Sequence, residues 1–179
     1  MMLNRRLFLF FAVLCISIIS VSVAADWPQW GGDNNRNMVS DETGLPAYFD
    51  TESKDGDGEG DNPQNVKWVV RLGAYAYGNP TVANGKVFVG TSAHALSDDA
   101  RFKYKKGGVL KCLDESSGEQ LWQLAIPERQ TLPEGMHFTH QHLGLCSSPT
   151  VDDGRVYIVT CAADILCLDV NGQRDGNAG

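Results

Sequence analysis

Hydrophobic and polar positions divide the chain into three stretches with different periodicity. Residues 7–23 form an almost continuous apolar run, and residues 26–65 carry only scattered hydrophobic side chains among polar and glycine positions. From Val66 onward, short runs alternate between apolar and polar residues with a period of two, which is the pattern of half-buried β-strands. This pattern predicts an all-β fold over residues 66–179.

The apolar run has the features of an export signal. Arg5 and Arg6 give it a positive start, and residues 23–25 supply the small side chains that a signal peptidase reads. We expect residues 1–25 to be a signal peptide, with no stable membrane span after cleavage and a periplasmic or extracellular mature protein. The arginine pair also resembles the twin-arginine motif, but the strong apolarity of the run favours the Sec route.

Residues 26–65 are expected to form an N-terminal polar segment with an acidic loop at residues 50–61 (DTESKDGDGEGD). The acidic run is similar to the first half of a calcium-binding loop. Val66, however, stands where such a loop places its bidentate glutamate, so we expect no structural calcium site here.

Two hairpins with the same pattern follow. Residues 79–92 (NPTVANGKVFVGTS) match residues 148–161 (SPTVDDGRVYIVTC), and each centres on a turn, Asn84-Gly85 or Asp153-Gly154. Both dipeptides accept the positive φ angles of a type I′ turn, which suits the twist of paired strands. Each unit is therefore predicted to open with a β-hairpin.

The repeat continues beyond the hairpins. VLKCLDESSG (109–118) matches DILCLDVNG (164–172) and predicts a third strand followed by a tight turn, with a polar loop at 94–107 inserted in the first unit. Residues 65–70 and 120–124, each centred on a tryptophan, are predicted to be outer strands. Four short strands per repeated unit are typical of propeller blades, so residues 66–179 are predicted to hold about two blades of an incomplete ring.

The residues that recur resemble a known blade motif, Ala-x-Asp-x-x-Thr-Gly-x-x-x-Trp, of the PQQ-like (quinoprotein-type) β-propeller repeats. The matching positions in the first unit are Cys112, Asp114, Ser117, Gly118 and Trp122. Cys167 and Asp169 repeat its start, and the opening DWPQW resembles a subgroup of secreted bacterial proteins with such repeats.

The resemblance implies structural roles for these residues. Asp114 is expected to cap its own turn rather than act as an acid or base, and Gly118 to adopt a conformation closed to other residues. Trp68 and Trp122 are expected to pack against the neighbouring blade while their indole N–H groups bond the backbone.

Two blades do not close a ring, since propellers have about four to eight. We therefore expect the chain to be the N-terminal portion of a longer protein or a truncated product. As an isolated repeat array without a cap, it is expected to be poorly stable or to self-associate.

Three histidines form the strongest candidate metal site, namely His137, His140 and His142. They could bind zinc or copper if a loop gathered them. In an extended segment, however, His137 faces away from the other two. A polar connecting loop is therefore the favoured interpretation.

Of the five cysteines, Cys15 lies in the leader and the other four remain after cleavage. If the strands around the Asp153-Gly154 turn stay paired far enough, Cys146 and Cys161 face each other at disulfide distance. The alternative is that all four are small buried hydrophobic residues.

The net charge and the sequence motifs reduce the number of possible functions. The formal net charge is −7 and no basic stripe is present, which argues against nucleic-acid binding. We expect a non-catalytic secreted or periplasmic propeller scaffold that binds protein or glycan partners and needs no cofactor, with outer-membrane assembly propellers as the nearest analogy. The alternative, implied by the family's namesakes, is the N-terminal part of a PQQ-dependent alcohol dehydrogenase that uses PQQ and calcium. The family's adjacent cysteine pair and calcium ligands have no counterpart in this sequence.

Overall fold

The computed structural model describes residues 25–51, 64–96, 106–128 and 143–173. These ranges contain seven strands and no helix: β1 Thr81–Ala83, β2 Lys86–Ser92, β3 Gly107–Asp114, β4 Gln120–Pro127, β5 Thr150–Asp152, β6 Arg155–Val159 and β7 Ile165–Asp169. The predicted all-β class is confirmed.

Both predicted hairpins form around their glycine turns. Thr81 pairs with Phe88 across the first turn, and Thr150 pairs with Tyr157 across the second. The residue before each glycine has a positive φ, 54° at Asn84 and 42° at Asp153, as do the glycines themselves. These angles match a type I′ turn, whose twist suits antiparallel strands.

The strands form two antiparallel sheets. The first sheet has the order β1-β2-β3-β4, and the second has the order β5-β6-β7. The four strands predicted for each unit are thus complete in the first sheet and number three in the second. The described residues form these two sheets and do not form a closed ring.

One hydrophobic core joins the two sheets. Phe88, Leu110 and Cys112 of the first sheet pack in one cluster with Val156 and Ile158 of the second. In β6 burial alternates with a period of two, as the sequence pattern predicts, whereas in β2 and β3 nearly every residue is buried.

The N-terminal segment binds both sheets through its backbone. Trp27 exchanges two hydrogen bonds with Val82 of β1, at 2.8 and 3.0 Å, and the Pro28 carbonyl accepts one from Val151 of β5 at 2.7 Å. Leu45, Tyr48 and Phe49, farther along this segment, are exposed. The DWPQW opening therefore links the first strands of the two repeated units.

The prediction of an outer strand at residues 65–70 is wrong. Asn65 adopts a positive φ of 56°, which ends extended backbone there, and within the described ranges these residues pair with no strand. A strand needs a neighbour that satisfies its backbone groups, and the segment has none here. Its tryptophan nevertheless makes the contact expected of an outer strand, as described below.

The predicted signal peptide and nearly all of the acidic loop lie outside the described residues. None of the described residues belongs to a helix long and apolar enough to span a membrane. The division at residues 65 and 66 stays a prediction.

Candidate functional site

The Asp114 carboxylate closes the turn after β3. One of its oxygens, Oδ1, accepts hydrogen bonds from the backbone N–H groups of Ser116 and Ser117, both at 2.9 Å. The same oxygen accepts the two serine hydroxyls, at 2.5 Å for Ser116 and 3.0 Å for Ser117. Four donors on one oxygen hold the turn in a single conformation.

These bonds also set the charge of the carboxylate. The hydroxyl of Ser116, followed by that of Ser117, lowers the pKa of Asp114 from 3.8 to about 2. Hydrogen bonds to the ionised form favour that form. A carboxylate with such a pKa stays ionised at neutral pH and is poorly suited to donate or remove a proton in catalysis.

A tryptophan docks on this turn from outside the sheet. The indole N–H of Trp68 donates to the carbonyl oxygen of Glu115 at 2.9 Å. Its ring lies over Gly118, where an added Cβ would come within 2.7 Å of the ring. Gly118 also has a positive φ of 74°, so the position favours glycine for two independent reasons.

The second unit repeats this arrangement. Trp122 of β4 donates to the carbonyl oxygen of Val170 at 2.9 Å and lies over Gly172, whose φ is 62°. The Asp169 carboxylate accepts the N–H of Asn171 at 2.7 Å and pairs with Arg155 at 3.3 Å. Each tryptophan therefore docks on the turn of the unit that follows it in the chain.

Comparison with known proteins agrees with this repeated geometry. Residues 105–175, which hold both aspartate turns and Trp122, match the family model described as outer membrane protein assembly factor BamB. Residues 105–175 are a PQQ-like repeat domain. No curated protein matches the chain.

The two cysteines of the PQQ-like motif occupy equivalent strand positions but different surroundings. Cys112 is fully buried between the sheets, and burial raises the pKa of its thiol to about 12. Cys167 is exposed. Cys112 therefore serves as a small core residue, while Cys167 lies on a face that nothing in the described residues covers.

The predicted bridge between Cys146 and Cys161 is not formed in the structure, where both are thiols. Pairing between β5 and β6 starts at Thr150, because the Ser147 hydroxyl takes over the N–H and C=O of Val159. The ladder on which the prediction depended therefore does not reach the two thiols.

An outer groove runs between β4 of one PQQ-like repeat and β7 of the next. It has a volume of about 530 Å³, and Trp122, Leu124 and Leu168 form its apolar wall. The pair of Arg155 and Asp169 adds charge at one end. No pattern in the sequence predicted this groove.

The candidate metal ligands fall in segments that the structure does not describe. His137, His140 and His142 lie outside the described residues, as do residues 52–61 of the acidic loop. In the part of the chain that the structure describes, no group of three or more His, Cys, Asp or Glu side chains could hold a metal ion. The histidine site stays a prediction.

Proposed function

We propose that this chain is part of an exported, non-catalytic propeller scaffold that binds protein partners, with glycan as the second ligand class. The observation that supports it is the use of the recurring polar residues. Both motif carboxylates close turns and both tryptophan N–H groups bond backbone carbonyls. Carboxylates and indole N–H groups that are held in these structural hydrogen bonds are not available for catalysis.

The family match supports protein rather than small-molecule partners. The matched model is named for an outer membrane protein assembly factor. A role in outer membrane assembly requires export from the cytoplasm, which agrees with the export signal expected at residues 1–25. The negative formal charge of −7 argues against nucleic acid as the ligand.

Two exposed tyrosines are the best candidates for partner contact. Tyr75 and Tyr77 lie in the segment before β1, with ring centroids 6.3 Å apart and planes only 10° apart. They are 41% and 61% exposed. Paired aromatic rings with accessible hydroxyls bind both protein and sugar surfaces, since they offer apolar area and hydrogen bonds together.

Affinity purification of the exported protein from periplasm tests the proposal. We expect a stoichiometric partner with the wild type, at least tenfold less of it with Tyr77→Ala, and unchanged recovery with Phe49→Ala. Phe49 is the matched control because it is exposed in the N-terminal segment, away from the tyrosine pair in sequence. Equal recovery with both variants would contradict this binding site.

The same preparation tests the alternative of a PQQ-dependent dehydrogenase. Dye-linked oxidation of alcohols that requires added PQQ and calcium would overturn the non-catalytic assignment. We expect no such activity at any calcium concentration.

A further inference from the structure

Residues 26–28 bridge the two sheets through backbone hydrogen bonds. Trp27 exchanges two bonds with Val82 of β1, and the Pro28 carbonyl accepts the N–H of Val151 of β5 at 2.7 Å. Val82 and Val151 are equivalent positions of the two repeated units. Their N–H groups donate to consecutive carbonyl oxygens, so one short segment binds the same position of both units.

A side chain adds a fourth bond to this contact. The Asp26 carboxylate oxygen Oδ2 accepts the backbone N–H of Asn84, in the turn between β1 and β2, at 3.1 Å. Pro28 has no N–H, and its contact with β5 needs only its carbonyl. A proline also favours an extended conformation in the residue before it, which is the conformation in which Trp27 pairs with β1.

Residues 26–36, here called the latch, are held together by contacts of their own. The Gly32 N–H donates to the Gln29 carbonyl at 3.0 Å, and the Gln29 side-chain amide donates to Oδ1 of Asn34 at 3.1 Å. The ring of Trp27 lies over Gly32, where an added Cβ would come within 3.1 Å of it. The latch can therefore move as one body without breaking these internal contacts.

The latch has little apolar attachment to the sheets. Among the described residues, the hydrophobic core clusters contain no residue of the latch. Trp30 is 51% exposed, residues 37–41 after the latch are all exposed, and so is the bond from the Ala25 N–H to the Glu42 carboxylate. Segments with few buried apolar contacts open at a lower free energy than core strands. Local opening about residues 37–41 therefore leaves both sheets folded.

We propose that the latch is an exchangeable cover, and that an extended peptide segment of a partner protein binds the edges of β1 and β5 when the latch opens. Strand edges that bind through backbone groups accept any extended segment that offers the same groups. The contacts of the latch define the partner class: an acidic residue, then a residue with free N–H and C=O groups, then a residue that can be proline. The site contains neither Tyr75 nor Tyr77, so this inference goes beyond the proposed function.

Native-state hydrogen exchange of the full chain tests whether the latch opens. The amides of Val82 and Val151 donate to the latch, whereas Leu110 and Val156 lie on the middle strands of the two sheets. We expect Val82 and Val151 to share one protection factor, at least tenfold lower than those of Leu110 and Val156 and insensitive to dilute urea. Protection equal to that of the core amides would overturn the inference. Unequal protection of Val82 and Val151 would also overturn it, since the latch would then not open as one body.

Binding of a peptide with the sequence of residues 26–30, DWPQW, tests whether the site accepts a strand from outside. The peptide is acetylated, amidated and fluorescently labelled, and its anisotropy is measured with the full chain and with Trp27→Pro. That substitution removes the N–H that donates to Val82, so it weakens the latch and leaves both sheet edges unchanged. We expect the variant to bind the peptide at least tenfold more tightly, because a closed site loses affinity in proportion to its open fraction.

Two controls accompany the peptide measurement. Leu45→Pro is matched to the variant, since Leu45 is 66% exposed and lies outside the latch, and it should bind the peptide like the wild type. The peptide DPPQW cannot donate to Val82 and should bind at least tenfold more weakly than DWPQW. Equal binding of the two peptides, or equal affinity of Trp27→Pro and the wild type, would contradict the inference. Tyr77→Ala should leave peptide affinity unchanged, which distinguishes failure of this inference from failure of the proposed function.

Discussion

At the scale of single residues, Asp114 decides whether the motif is chemical or structural. In the sequence, an aspartate at a strand end four residues before a glycine is compatible with either role. In the structure its Oδ1 accepts four hydrogen bonds from the two serines that follow it. The resemblance to the blade motif implied the capping role of Asp114, but the involvement of both serine hydroxyls depends on rotamers that a motif does not specify.

The depressed pKa of Asp114 makes stability depend on pH. The folded value of about 2 lies below the ordinary 3.8, so this carboxylate contributes stability above about pH 4. That contribution is lost as the pH falls toward 2. We expect Asp114→Asn to lower the melting temperature by a few degrees at pH 7, and the gap to the wild type to narrow between pH 4 and pH 2. The residue is only half-buried, so solvent screening keeps the effect modest.

Thermal denaturation at a series of pH values measures this difference. Asp41→Asn is the matched control, since Asp41 is an exposed carboxylate of the N-terminal segment. A gap between wild type and Asp114→Asn that stays constant from pH 7 to pH 2 would show that the charge plays no part in the turn.

At the scale of elements, the unit of stability is a turn of one repeat together with the tryptophan that docks on it from the preceding segment. Trp68 and Trp122 make this contact with the same bond to a carbonyl, each at 2.9 Å. Trp122 belongs to a paired strand, whereas Trp68 belongs to a segment that pairs with no strand in the described ranges. The contact of Trp68 with the turn therefore forms without a complete outer strand. The period-two pattern at residues 65–70 predicted such a strand, but the described structure has none at these residues.

Substitution of two turn glycines distinguishes the energetic effect of the tryptophan contact from that of backbone strain. Gly85 and Gly118 have similar φ angles, 71° and 74°, but only Gly118 faces a tryptophan ring. We expect Gly85→Ala to lower the free energy of unfolding by about 1 kcal/mol, from strain alone. Gly118→Ala should lower it by about 3 kcal/mol, because overpacking against Trp68 adds to the strain.

Urea denaturation monitored by tryptophan fluorescence gives both values. Equal losses for the two variants would mean that Trp68 moves away without cost, and would contradict its role in holding the turn.

At the scale of the whole molecule, the two sheets stack so that the second sheet buries one face of the first. Leu110 and Ile165 are equivalent in the repeat, yet one is fully buried and the other is 75% exposed. Position within the stack, rather than residue type, decides this difference. Leu110 lies in the core between the two sheets, whereas Ile165 pairs with the exposed Val159 on the other face of the second sheet.

Whether the chain is exported and cleaved concerns the whole molecule and can be measured directly. We expect the mature protein to begin near Asp26, since residues 23–25 supply the small side chains at the cleavage position. Intact mass and N-terminal sequencing of protein recovered from the periplasm check this. Recovery of uncleaved chain in the membrane fraction would instead show that the apolar run serves as an anchor.

The amino-acid pattern alone was enough to predict the all-β class, both hairpin turns and the aspartate, glycine and tryptophan positions of the repeat. These features are local, because a type I′ turn or a period of two is set by residues a few positions apart. The three-dimensional packing was needed to show that the β5–β6 ladder stops short of Cys146 and Cys161, and that within the described ranges residues 65–70 pair with no strand and β7 pairs with β6 alone. Each of these depends on which segment lies beside which, and pairing between distant segments is settled by the packing of the whole chain.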